Sequence, residues 1–206
     1  MFEHTSAREG KEDMSFFRWT APLFKLASRR WSDEDFRKLA DVLSPTVPAG
    51  GLFADLGGGT GDLGAGIARA LDAQVIIIDP TPQMLRRVGA EPLVSVRLAA
   101  AESLPFPAGH FDAVLCCDAF HHFRDQDAAA REIARAVRPG GGVVIIDIEM
   151  TAKGVGMVAA VERLLGEPAG FRTAEGMQSF LAGHGINGTT RREKGETYLF
   201  AGIVRR

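Results

Sequence analysis

A chain of 206 residues, 46% of them hydrophobic, with 24 Lys and Arg against 26 Asp and Glu, has the make-up of one folded domain with small additions. A net charge of -2 excludes the broad positive field of a nucleic-acid binder and leaves Arg29-Arg30, Arg191-Arg192 and Arg205-Arg206 as local surface pairs. The two cysteines, Cys116 and Cys117, are adjacent and cannot staple distant segments, so a secreted disulfide scaffold is excluded and a cytoplasmic setting expected.

The first 17 residues, MFEHTSAREGKEDMSFF, lack the apolar core of a signal peptide, and no window reaches the roughly 18 apolar residues of a membrane span. Met14 to Trp31 is rich in aromatics, with Phe16, Phe17, Trp19, Phe24 and Trp31. These suit the roof of a small-molecule pocket, and equally the packing of leading helices, a homodimer face or a membrane-surface helix.

SDEDFRKLADVLS then places Ser32 and Asp35 at capping-box spacing and Phe36, Leu39, Ala40 and Leu43 on one helical face. A turn and strand follow in PAGGLFADL. GDLGAGIARAL is the next helix, with Leu63, Ile67, Ala70 and Leu71 toward the core. Ala73 to Asp79, AQVIIID, is an apolar run closed by an acid, as expected of a parallel strand buried on both faces. TPQMLRRVG predicts a helix capped by Thr81, begun by Pro82 and stopped by Gly89. LVSVRLA and FDAVLCCDAF read as third and fourth strands, DQDAAAREIARAV as a helix broken at Pro139 and Gly140, and GVVIIDI as a fifth strand.

Strands and helices alternating at this spacing predict an α/β fold with a mostly parallel sheet covered on both faces. After Ile148 the pattern predicts a short helix from about Met157 to Leu165, a second ending at Gly183 to Gly185, and a final strand in GETYLFAGIVR. The chain divides into an N-terminal helical cap at 1–50, a core at 51–148, and an insert helix with a C-terminal hairpin at 149–206.

The turn after the first strand holds four glycines in five positions, Gly57 to Gly61. Such a turn opening a helix aims free N–H groups and the positive helix end at one point, where a ligand can approach the main chain. Two registers compete. Gly59-x-Gly61-x-x-Gly64, with Asp79 about 20 residues on, satisfies a dinucleotide fingerprint and implies NAD. Asp55-Leu56-Gly57-Gly58-Gly59-Thr60-Gly61 instead resembles motif I of the Rossmann-like S-adenosylmethionine-dependent methyltransferases. AAAESLPFPAGHFDAVLCCDAFHHF and REIARAVRPGGGVVIID resemble the later segments of their UbiE-like, type 11 group, in the same order.

That resemblance implies a Rossmann-like three-layer sandwich of seven strands with an antiparallel last strand, binding S-adenosylmethionine and releasing S-adenosylhomocysteine. It places Gly57, Gly59 and Gly61 against the amino-acid end of the cofactor, with Asp55 organising the loop. Asp79 falls at the ribose hydroxyls, Pro80 and Met84 at the adenine, and Asp118 beside the ammonium group. Where relatives carry an acid for the adenine amino group this chain has Ala100, leaving Glu102 and the backbone of Ala101 as partners. His121 and His122 match a His-His pair of the group and are pocket-lining residues or general-base candidates. A metal is not expected, because neighbouring strand residues such as Cys116 and Cys117 face opposite ways. The activity implied is direct in-line methyl transfer to a small molecule; an NAD-dependent oxidoreductase and a non-catalytic S-adenosylmethionine-binding protein are the alternatives.

Overall fold

The structure, a computed structural model, describes residues 31–151, 153–164, 168–193 and 196–205. Phe16, Phe17, Trp19 and Phe24 lie outside them. The first helix, α1 (Asp33–Leu43), carries the expected capping box: Ser32 Oγ accepts from the Asp35 N–H at 3.2 Å, and the Asp35 carboxylate accepts from the Ser32 N–H at 3.0 Å. Replacing Ser32 with alanine removes one cap bond and is expected to cost about 1 kcal/mol, read as a small drop in Tm. Leu39, Ala40 and Leu43 are buried, and Phe36 packs where Gly66 of the next helix leaves room for its ring. Trp31 is half-buried against the same cluster.

Five parallel strands form the core: β1 (Leu52–Leu56), β2 (Gln74–Asp79), β3 (Val94–Leu98), β4 (Phe111–Cys117) and β5 (Val137–Ile148). With β6 (Ile186–Glu193) and β7 (Thr197–Val204) they make one seven-stranded sheet of order β3-β2-β1-β4-β5-β7-β6, in which β7 runs antiparallel to both neighbours. The order reverses at β1, so the crevice at the carboxyl ends of β1 and β4 is the topological switch point.

Both faces are covered. Phe53, Ile77 and Leu115 pack with α1 and α2 (Asp62–Leu71). Leu56, Ile78, Cys116, Tyr198 and Phe200 face α4 (Gln126–Ala136) and α6 (Ala174–Gly183). Alternation thus sends Cys116 and Cys117 to opposite faces.

Four expectations change in detail. In α2 the buried alanines are Ala65 and Ala68, whereas Ala70 is exposed, because the helix turns its Gly64 and Ala68 side to the sheet. The helix begun by Pro82 is a single turn, α3 (Pro82–Leu85), continued to Val88 by i to i+3 bonds rather than running as α-helix to Gly89. β5 begins at Val137: the Pro139-Gly140 break is absorbed as an irregularity, where Phe111 pairs with Val137 and Ala113 with Gly142. The insert helix is α5 (Val155–Leu164), with Met157 75% and Leu164 86% exposed.

Candidate cofactor and acceptor site

The turn from β1 to α2 bends through three left-handed glycines, Gly57 (φ 69°), Gly59 (φ 55°) and Gly61 (φ 78°). Gly57 donates its N–H to the Ile78 carbonyl at 2.8 Å, which fixes the loop to β2. A Cβ on Gly57 would stand 2.5 Å from Ala119 Cβ, so this glycine permits close approach of the β4 end. A Cβ on Gly59 would meet nothing within 4 Å, and its side of the loop opens outward.

Asp55 lies beneath the loop, 2% exposed, with its carboxyl where side chains at Gly58 and Gly64 would otherwise sit. Burial pushes it up to about 7, against the pull of the Gly64 N–H and with a smaller push from the Asp79 charge. Its Oδ2 has no hydrogen-bond partner among the described residues.

Asp79 closes β2 with Oδ2 accepting from the Gly59 N–H at 3.1 Å and Oδ1 from the Thr81 N–H at 2.8 Å. Burial raises its pKa, and the Thr81 and Gly59 N–H bonds oppose the rise. The Thr81 hydroxyl also bonds this carboxylate, which with these three donors keeps one of its roughly four acceptor directions for a further hydroxyl. Met84 and Ala101 are buried beside the crevice, and Pro80 and Ala100 are exposed. Glu102 is directed elsewhere: its Oε1 accepts from the N–H of Arg124 at 2.8 Å and of Asp125 at 3.4 Å, tying the β3–β4 connection to the start of α4. The Leu104 N–H on Glu132 and the Arg135 guanidinium on the carbonyls of Leu104 and Phe106 pin that connection further.

At the end of β4, Asp118 adopts φ 52°, a left-handed conformation uncommon for a residue with a side chain and a mark of functional turns. Burial raises its carboxyl while the His121 charge pulls it down. The chain then makes a 3-10 turn (Phe120–His122) that buries His121. Its Nδ1 lies 2.5 Å from Asp147 Oδ1, both side chains almost fully buried. His122 is held below its usual range, at about 4, by burial and then by His121, although the Pro168 carbonyl at 3.3 Å opposes this.

Asp118, His121 and Asp147 each bring one ligating atom within 4.8 Å of the others. Asp147, with Glu149 and Tyr198, was not among the residues singled out in the sequence. Its signal was present, since GVVIIDI is an apolar strand closed by an acid, as β1 and β2 are.

A glycine loop at the switch point, an acid closing β2 and a seven-stranded sheet with β7 reversed define the class I methyltransferase fold. Residues 54–145, a little under half of the chain, match the family model described as a methyltransferase domain, and this stretch is similar to the type 11, UbiE-like S-adenosylmethionine-dependent methyltransferases. The ubiquinone/menaquinone biosynthesis C-methyltransferase UbiE of Chromobacterium violaceum is 36% identical over 115 residues, 52% of this chain and 47% of that protein. The Pseudomonas putida protein of the same name is 35% identical over 111 residues, 49% and 43% of the two chains. The chain thus spans about half the length of these curated relatives.

Among solved structures, a Haloferax volcanii methyltransferase candidate in complex with the Trm112 methyltransferase activator superposes with a TM-score of 0.75 at 16% identity, over 93% of this chain and 98% of that one. The cyclase SpnF gives 0.74 at 16% identity, over 93% and 94%. These likenesses concern the fold, and the second shows that it also houses a cyclase.

The cofactor of the group is S-adenosylmethionine, and the donor set fits it. The side of Gly59 where a Cβ would meet nothing leaves room for a ligand, and the carboxylates of Asp79 and Asp118 are of the chemistry that would accept from ribose hydroxyls and an ammonium group. The methyl-bearing sulfonium supplies the electrophile when bound. The protein's share is orientation and proton handling.

Proposed function

We propose that this chain is an S-adenosylmethionine-dependent methyltransferase that moves the methyl group directly onto a small-molecule acceptor. The observation that supports the reading is the Gly59 N–H bonded to Asp79, with the space beyond Gly59 open, an arrangement that would suit a methionine tail and a ribose. Gly57, Gly61, Pro80, Met84, Ala101 and Asp118 complete the proposed cofactor contacts, and Asp55 supports the loop from below. Glu102, engaged with the main chain, acts there through the shape of the adenine edge. The match to UbiE proteins supports the class of reaction; the quinone biosynthesis in their name is not carried over, because the match spans only about half of each relative. The exposed Met157 and Leu164 of the insert helix suit an apolar wall for the acceptor. No helix among the described residues is long and apolar enough to cross a membrane; a cytoplasmic setting is proposed separately, from the two adjacent cysteines that make no disulfide scaffold.

Isothermal titration with S-adenosylmethionine, S-adenosylhomocysteine and NAD tests the reading. S-adenosylmethionine and S-adenosylhomocysteine are expected to bind and NAD to fail. Asp79→Ala is expected to weaken the pair by on the order of 10- to 100-fold, the loss of charge-assisted bonds to the ribose. A preference for NAD would return the glycine loop to the dinucleotide register. Binding without turnover on a broad acceptor panel would favour a non-catalytic binding protein, a role to which Ala100 already leans.

A further inference from the structure

Among the described residues, three buried side-chain polar atoms lack a hydrogen-bond partner: Asp55 Oδ2 under the glycine loop, the Tyr198 hydroxyl and Glu149 Oε1. The last lies away from the loop, one residue past the end of β5, where the Glu149 N–H bonds the Glu196 carbonyl at 2.9 Å and continues the β5–β7 ladder. Glu149 is 5% exposed. Its Oε2 is engaged, accepting from the Ala174 N–H at 3.3 Å at the start of α6 and lying 3.4 Å from Arg192 Nε, while Oε1 is left bare. A buried carboxylate oxygen without a donor costs folding energy, so it calls for an explanation.

Glu149 lines a cavity of about 200 Å³ together with Thr151, Arg192, Glu193, Glu196 and Thr197. The one guanidinium in this lining is shared, since Arg192 Nη2 also lies 2.9 Å from Glu175 Oε1. Glu193 accepts from Arg191 Nε at 2.5 Å and Glu196 from the Lys153 N–H at 3.0 Å, so four carboxylates are set against two guanidiniums around the cavity. A bare metal ion is the poorer fit: among the described residues, the trio close enough to share one is Asp118, His121 and Asp147, at a different point. The cavity lies toward the carboxyl edge of the parallel strands. Asp118 donates its N–H to the Ile146 carbonyl at 2.8 Å, and Glu149 follows Ile146 by three residues, a reach of about 10 Å along an extended chain.

We propose that this cavity is a binding site for an organic cation, the primary ammonium or guanidinium end of a small molecule. Such a group brings several N–H donors and a full positive charge, so it gives Glu149 Oε1 the bond it lacks and offsets the excess of carboxylates. An anionic ligand is repelled by the same walls, and a neutral hydroxyl satisfies the oxygen without offsetting the charge. The site does not depend on the methyltransferase reading, although its nearness to Asp118 lets one small molecule reach from here to the cofactor crevice.

Calorimetric titration with cadaverine, agmatine, pentanediol and glutarate, with and without S-adenosylhomocysteine, tests the site. The two amines are expected to bind at least about tenfold more tightly than pentanediol, and glutarate not at all. Glu149→Gln keeps the shape and an acceptor for the Ala174 N–H but not the charge, and is expected to weaken both amines by about 10- to 100-fold at unchanged S-adenosylhomocysteine affinity. Should that variant fail to fold, Glu196→Gln carries the test, with a smaller loss of about two- to fivefold because this carboxylate is exposed. Absence of amine binding overturns the proposal, as does pentanediol binding as tightly as cadaverine, or equal amine affinity in wild type and Glu149→Gln. With methyl-labelled S-adenosylmethionine added, label on the bound amine marks the cation as part of the acceptor, and binding without label marks it as a separate ligand; the site stands in both. Failure of S-adenosylmethionine to bind would sink the methyltransferase reading and leave the amine titrations to decide this site.

Discussion

Alanine at Gly57 and alanine at Gly59 are expected to fail in opposite ways, although both glycines are left-handed and one residue separates them. At Gly57 the new Cβ would lie 2.5 Å from Ala119 Cβ, an atom fixed to the backbone at the end of β4, so the strand end or the loop must move. The left-handed backbone costs an alanine about 1 to 2 kcal/mol, and the overpacking about 1 to 3 kcal/mol more. A chain of this size loses roughly 2 to 4 °C per kcal/mol, so the expected fall in Tm is on the order of 5 to 15 °C. At Gly59 the new methyl meets nothing, and only the backbone term applies. That variant is expected to keep most of its Tm and to bind S-adenosylmethionine at least about tenfold more weakly, because the methyl occupies the approach to the main chain. Calorimetry and titration on both variants separate the roles. A Gly59→Ala protein that binds normally would move the ligand away from this loop.

The contrast within the loop shows what a sequence can and cannot announce. Four glycines after an apolar strand foretell a bare turn and a helix start, and the acids closing β1 and β2 stand out because each ends an apolar run. Which glycine faces the ligand and which faces Ala119 depends on where β4 ends in space, some sixty residues further on. The different settings of the two histidines are hidden for the same reason. His121 is held by Asp147 at the end of β5, and His122 is kept below its usual range by burial and by His121. β6 left little trace, because it is an edge strand whose burial is confined almost to Ile186 and whose outer half, Thr189 to Glu193, is polar and largely exposed. Pro139 and Gly140 misled by composition, since a strand that hydrogen-bonds irregularly there accommodates both.

Asp55→Asn is expected to reverse its effect on stability between pH 5 and pH 8. In the folded chain the Asp55 carboxyl titrates at about 7, against an ordinary value of 3.8. Between those values the unfolded chain has released its proton while the folded chain keeps it. This contribution to stability is therefore full below about pH 4, declines as pH rises, and is lost above about 7. It amounts to on the order of 4 kcal/mol across the window. His122 works the other way, because its depressed folded value costs stability as pH falls from 6.5 toward 4, so the wild-type profile alone is a composite.

The difference between variant and wild type isolates Asp55. An asparagine carries no charge to bury but brings an N–H into a place where Oδ2 has no partner, a cost of about 1 to 3 kcal/mol at every pH. The variant should therefore be the less stable protein at pH 5 and level with wild type, or above it, at pH 8. The Tm difference should swing by about 5 to 10 °C in its favour over that interval. Cofactor affinity at pH 6 should change little, since the carboxyl acts from beneath the loop. A flat difference profile joined to a large loss of S-adenosylmethionine binding would mean that Asp55 is ionised and meets the cofactor's ammonium group directly.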